Sequence, residues 1–325
     1  MMRKFLLVAL LAATPATADV PEVVTDHILP GVARFAQAAE TLSITAARDC
    51  TADSVIPAYH AAFDAWLGIS HLTFGPLETD GRGLTIAFWP DTRGVVGRTV
   101  AGLIAAQDPV VENPQAFQEV SIAGRGLFAL ERVLFGESYG PDHYACRLVQ
   151  AQAGDLGRMA QAIDADWADY AQVMLSAGDP GNNIYLSAGE AGQALYTALM
   201  TGLEFNKDQR IGRPLGTFER PRPRRAEAYR SGRSLRNVAL SLVALQDMVQ
   251  ALSDTATPAT DDAFQTAFDQ IESLDDPVFA GVSDPVGRLK VEILGQKIAF
   301  VQDAVTTEVG VPMGLSQGFN SADGD

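Results

Sequence analysis

The chain has 325 residues and carries 24 Lys and Arg against 40 Asp and Glu, a formal net charge of −16. Such acidity excludes nucleic acid and anionic membrane surfaces as partners, because both repel it, and is compatible with attraction of cations. The length exceeds that of one typical domain.

Taken in chain order, the N-terminus comes first. Met1 to Ala18 carries Arg3 and Lys4, the apolar run FLLVALLAA and then Ala16-Thr17-Ala18. That is the charged, apolar and small-residue order of a secretory leader. The apolar run is much shorter than the roughly 20 residues that span a bilayer. No cysteine follows it closely enough for lipid attachment, and no later stretch is apolar for long enough to be a membrane helix. The expectation is a signal peptide over 1–18, maturation near Asp19, and a periplasmic or secreted protein with no integral membrane segment.

Beyond the leader, apolar residues recur at spacings of three and four in eight segments. They are VVTDHILPGVARFAQAAETLSITAA, SVIPAYHAAFDAWLGISHLTF, FQEVSIAGRGLFALERVLFG, DLGRMAQAIDADWADYAQVML, GEAGQALYTALMTGLEF, SLRNVALSLVALQDMVQAL, DAFQTAFDQIESL and RLKVEILGQKIAFVQDAVTTEVG. The expected fold is all-α, two halves resembling four-helix bundles packed together. The densest turn cluster, Ser176 to Asn183, divides them into an N-terminal bundle over 19–178 and a C-terminal bundle over 184–325. FDAWLGISHLTFGPL and TALMTGLEFNKDQRIGRPLG each end a helix in a Gly/Pro turn, a hint of internal duplication. The two cysteines, Cys50 and Cys146, are an even count in an oxidising compartment and are expected to form a disulfide.

Four histidines occur, His27, His60, His71 and His143, with no H-E-x-x-H and no zinc-like Cys/His spacing. His60 and Asp64 lie four apart on an expected helix, so both side chains can reach one metal ion; the plainer reading is a surface hydrogen bond. No G-x-S-x-G, Walker or dinucleotide signature is present. In TIAFWPDTRG, Thr85 to Gly94, a loop places Trp89 beside Asp91 and Arg93. It reads either as the wall of a site or as a Trp plug with an Asp91–Arg93 turn contact.

GRGLFALERVLFG, Gly124 to Gly136, puts Leu127, Glu131 and Leu134 on one helical stripe, with Phe128 and Phe135 beside it. A carboxylate in an apolar stripe needs a partner or a task, since burying an unpaired charge costs several kcal/mol. The natural partners lie in ERPRPRRAEAYRSGRSLR, Glu219 to Arg236, where seven arginines gather in a chain otherwise short of positive charge. Guanidinium groups suit buried ion pairs and bidentate carboxylate binding. A helix from about Arg225 would put Tyr229, Arg233 and Arg236 on one side. The alternative is a solvated basic patch.

Together GRGLFALERVLFG, WLGISHLTFGPL, AFWPDTRG, YRSGRSLRNVALSLVAL and the tail GVPMGLSQGFNSADGD resemble the imelysin-like family, whose founding members were described as insulin-cleaving membrane proteases. The resemblance spans nearly the whole mature chain, with the Trp-Pro-Asp loop and the ending from Phe319 to Asp325 its more specific parts. It implies a periplasmic or envelope protein of two helical bundles, associated with iron acquisition. The family's G-x-H-x-x-E motif implies a metal site between the bundles. On this chain its glycine is Gly126 and its glutamate Glu131, while Phe128 stands at the histidine position and cannot coordinate a metal.

Three functions follow as expectations. The first is a non-catalytic binding protein for a small ligand or metal in a cleft between the bundles. Its polar residues would be Glu131, Asp91, Arg230, Arg233 and Ser234, its apolar wall Trp89 and Phe128, and its cofactor a divalent metal or iron held by Glu131, His60 or Asp64. The second is a metallopeptidase. The third is a structural envelope protein, binding a protein partner, in which Glu131 pairs with an arginine.

Overall fold

A computed structural model describes residues 18–136, 139–140 and 143–316. The expected leader, apart from Ala18, and the tail motif from Phe319 to Asp325 lie outside these residues. The described chain is helical, and among the described residues no β-strand forms and no helix is long and apolar enough to cross a membrane.

The long helices are α1 (Leu29–Arg48), α2 (Ala52–Leu67), α3 (Val95–Ala106), α4 (Gly126–Leu134) and α5 (Tyr144–Leu175), then α6 (Ala188–Glu204), α7 (Ser234–Leu252), α8 (Pro258–Leu274) and α9 (Pro285–Val305). The turn at 176–183 separates α5 from α6. In α1 the buried set Val32, Phe35, Ala36, Ala39, Leu42 and Ala46 repeats at three and four residues, the period that keeps one helical face inward. That face packs on α5 and α2. Among residues after the turn, α6, α7, α8 and α9 pack on one another, and α7 also meets α2, so a continuous core runs through the molecule.

Carboxylates secure helix starts, one from next to the helix and one from far along the chain. Asp284 accepts hydrogen bonds from the N–H groups of Val286 and Gly287 at the start of α9. Glu308 accepts from those of Ala259 and Thr260 at the start of α8, where a carboxylate also opposes the helix dipole. Three π-helical turns interrupt the regular pattern, Val23–Ile28, Phe205–Ile211 and Thr306–Gly310. Cys50, just before α2, is disulfide-bonded to Cys146 in α5 with their Cα atoms 5.9 Å apart.

Three expectations about local structure need correction. The segment 117–136 is not one helix: Arg125 is extended (φ −123°, ψ 169°) and Gly126 has φ +71°, so α4 starts afresh at Gly126. No helix begins near Arg225. Pro223–Arg225 forms a 3-10 turn, and the left-handed residues Ala228 (φ +48°) and Gly232 (φ +73°) hold the chain out of helix until Ser234. Helix α3, with Gly97 and Gly102 inside it, escaped the periodicity reading.

Candidate functional site between the helical halves

The site is built around the start of α4. Arg125 anchors it: its guanidinium donates to both oxygens of buried Asp155 on α5, at 2.8 and 3.1 Å, and to the Gln118 carbonyl at 2.7 Å. The next residue must be glycine. A Cβ on Gly126 would lie 2.1 Å from the Thr85 carbonyl oxygen and 2.5 Å from that of Ile86, so the helix start is pressed directly onto the backbone at the end of the short helix Arg82–Ile86. This close approach brings the Trp89 loop against α4.

On α4 every residue except Arg132 is buried. Phe128 meets Phe63 of α2 edge-on at 5.6 Å and stacks with Trp89 at 6.3 Å and 18°. Trp89 in turn meets Phe205 edge-on and lies under the Arg213 guanidinium at 6.0 Å. The residue at the motif's histidine position thus belongs to an aromatic stack.

Glu131 is 4% exposed. Its Oε1 accepts hydrogen bonds from the Ser231 backbone N–H at 3.0 Å and the Ser231 hydroxyl at 2.8 Å. Burial raises its pKa above the usual carboxylate value, and the Ser231 bonds and the nearby Arg230 charge only partly offset this. The same surroundings push the buried Tyr59 hydroxyl up, through burial first and the Glu131 charge second. The expected Glu131–arginine ion pair does not form: among the described residues Glu131 makes no salt bridge. The basic segment does reach it, but through a serine and the backbone around it.

The arginines divide their work. Arg233, 1% exposed, pairs with Asp64 of α2, donates to His60 Nδ1 at 2.9 Å and covers the Phe63 ring at 4.8 Å. Arg236 also pairs with Asp64. His60 and Asp64 are therefore occupied by guanidinium groups rather than shaped around a metal, and among the described residues no group of three or more His, Cys, Asp or Glu is placed to hold one. Burial alone would raise the Asp64 pKa, but its hydrogen bonds to Arg236 and Arg233 and their charges hold it below the usual value. Behind this contact, buried Arg210 binds buried Glu227 at 2.7 Å, with Asn237 also donating to Glu227. The Ser234 hydroxyl donates to the Glu227 carbonyl at 2.6 Å, which makes Ser234 part of this scaffold.

What remains is a cleft of about 240 Å³. Trp89, Asp91, Phe128, Glu131 and Arg230 line it, as do Arg132, Arg213, Arg224 and Arg225. Arg233 and Ser234 do not. Asp91 uses its carboxylate structurally, each oxygen accepting one N–H, from Val95 and Val96, at the start of α3. This replaces the expected Asp91–Arg93 contact. Arg132 lies flat over Gly97, whose absent side chain leaves room for the guanidinium. Arg132, Arg213, Arg224, Arg225 and Ser231 were missed as site residues. Arg132 is adjacent to Glu131, and Arg224, Arg225 and Ser231 lie in the basic segment, but nothing in the sequence pointed to Arg213.

A second cavity, about 610 Å³, lies across Trp89 and is lined by Trp66, His71, Leu77, Leu84 and Phe205 among others. Beside it His71 Nε2 is 2.9 Å from His27 Nε2, both rings buried. Burial holds His71 well below the ordinary histidine value and His27 down to about 4.

The metal implied by the G-x-H-x-x-E motif does not fit these residues. Phe128 offers no donor atom, and one oxygen of Glu131 is already taken by two hydrogen bonds.

Comparison with known proteins agrees with this architecture. The imelysin family model matches residues 28–303. Iron-regulated protein A of Synechococcus elongatus is 24% identical over 276 residues, 78% of this chain and 72% of that protein. An imelysin-like protein from Psychrobacter arcticum superposes with a TM-score of 0.76 at 19% identity, covering 92% of this chain and 96% of the other. A putative iron-regulated protein A precursor from Parabacteroides distasonis gives 0.61 at 14% identity, over 89% and 94%. With the family match running through all nine long helices, the chain belongs to the imelysin family.

Proposed function

We propose that the protein is a non-catalytic binding protein of the cell envelope that serves iron acquisition and takes its ligand in the cleft between the helical halves. The observation that carries this reading is the composition of that cleft. An aromatic wall, Trp89 and Phe128, faces convergent polar groups supplied by both halves of the chain, the usual anatomy of a small-molecule site. The iron association comes from the relatives, two of which bear the name iron-regulated protein A. The leader-like N-terminus supports an envelope location.

A metallopeptidase reading is less well supported, because a catalytic zinc takes three protein ligands and a water and Phe128 removes one of the family's donors. The test is titration of the folded protein with ferrous and ferric salts and with iron chelates, read by tryptophan fluorescence in parent and Trp89→Phe. Saturable quenching that depends on Trp89 is expected. Flat traces with every probe would retire the reading.

A further inference from the structure

We infer that the cleft selects a small oxyanion bearing two or more negative charges, a polycarboxylate or phosphate, so that any metal enters only as part of an anionic complex. This rests on the binding-protein reading and names the class of ligand.

The argument is one of charge balance. Arg132, Arg213, Arg224, Arg225 and Arg230 all line the cleft. Among the described residues none of the five makes an ion pair; Arg34, Arg48, Arg93, Arg98, Arg220 and Arg222 make none either, and what sets the five apart is that they converge on one cleft of a strongly acidic chain. The two carboxylates in the lining are too few to balance five guanidinium groups. Neither pairs with one of them: Asp91 accepts the N–H groups of Val95 and Val96, and Glu131, held by Ser231, is pushed by burial toward its neutral form. The arginines feel one another: burial and Arg225 lower the pKa of Arg213. Burial, followed by Arg132 and Arg224 among the charges, lowers that of Arg230 despite the opposing pull of Tyr229 and Glu131.

Gathering like charges without counter-charges costs stability that an anion recovers on binding. Guanidinium forks match the two oxygens of a carboxylate or phosphate edge. Arg213 is also aligned over the Trp89 ring at 6.0 Å, a contact that holds the fork in place before the ligand arrives. The cleft volume corresponds to about eight water molecules, room for a compact ion.

The test is calorimetry and thermal melting of the intact protein with citrate, inorganic phosphate, glycerol as a neutral probe and ferric ion alone, at low and high salt. Citrate or phosphate should bind, weaken as salt rises, and lose about tenfold or more in affinity in the Arg213→Gln/Arg230→Gln double variant. Arg147→Gln, which alters an exposed pair with Glu112 on the outside of α5, should leave binding unchanged. The double variant removes unpaired like charges, so it should fold and melt no lower than the parent. Undiminished anion binding in the double variant overturns the inference. If ferric ion or glycerol binds at Trp89 while neither anion does, the inference fails and the binding-protein reading stands. If no probe of any charge binds, both fall.

Discussion

Two contacts tie the basic segment to the first half of the molecule, and they solve the same problem in different ways. At Asp64 a carboxylate meets two guanidinium groups, one of them buried. At Glu131 a more deeply buried carboxylate meets a serine hydroxyl and backbone N–H groups. Asp64 is partly solvated, so its negative charge is tolerated and it satisfies an arginine that could not be buried alone. Glu131 has hydrogen bonds but no countercharge within pairing distance, and burial pushes it toward its neutral form. The difference shows where the cleft's free positive charge comes from: the arginines nearest Glu131 were never committed to it.

The most severe way to break the Glu131 side is to remove its platform. Gly126→Ala forces an unfavourable φ and drives a methyl group into two carbonyl oxygens. Left-handed backbone costs a non-glycine residue about 1–2 kcal/mol and overpacking about 1–3 kcal/mol more. Chemical denaturation should show a loss of several kcal/mol, and a variant within about 1 kcal/mol of the parent would mean the α4 start is not pressed on the Arg82–Ile86 helix as described. Asp64→Asn comes next. It leaves the buried Arg233 without its countercharge, with His60, the Phe63 ring and a neutral amide around it, and breaking one side of a buried pair costs about 3–5 kcal/mol. Because Asp64 is itself partly exposed, the lower end is expected, read as a fall in denaturant midpoint.

Acid separates the two contacts further. The folded pKa of Asp64 lies below its unfolded value of 3.8, so its contribution is present above that value and lost as pH falls through the folded one. The histidine pair adds a larger effect at higher pH. His27 titrates at about 4 in the folded protein against 6.5 unfolded, so below 6.5 the unfolded chain binds protons that the folded one refuses. Stability should therefore fall as pH drops from 6.5 to about 4, by about 3 kcal/mol from His27 alone at some 1.4 kcal/mol per pKa unit. His71 acts in the same direction. Melting curves in His27→Gln should lose the His27 share of this slope and keep that of His71. An unchanged slope would mean the pair does not stay neutral inside.

Much of this architecture is legible in the sequence because it is written in local periodicity. The span from Ser234 to Leu252 reads as a helix from its apolar spacing and is one, and Glu131 stands out in its stripe for the reason that makes its burial costly. Partner choice is not local. Whether Arg233 goes to Glu131 or to Asp64 depends on how α2 and α4 lie side by side, and no spacing rule encodes that. The left-handed turns at Ala228 and Gly232 point Ser231, rather than a guanidinium, at Glu131, and an alanine gives no warning of such a turn. His27 and His71 meet across 44 residues of chain and are ordinary singletons until the fold joins them.

The smallest expected effect discriminates best between the two contacts. Glu131→Gln keeps an acceptor oxygen for Ser231 and removes only the ionisable group. Because burial raises the folded pKa of Glu131 above its unfolded value of 4.5, the folded state holds its proton more tightly. The contribution of Glu131 is therefore greatest below 4.5 and declines as pH rises through the folded value, the opposite of Asp64. At pH 7 the glutamine variant should be as stable as the parent or more stable, by about 1 kcal/mol at most, while below pH 4.5 the gain should vanish. Had Glu131 been half of an arginine pair, the same substitution would destabilise the protein by about 3–5 kcal/mol at neutral pH. Urea midpoints of the two proteins at pH 4 and pH 7 thus decide between a buried ion pair and a carboxylate held by a serine, and the sign of the change at pH 7 is enough.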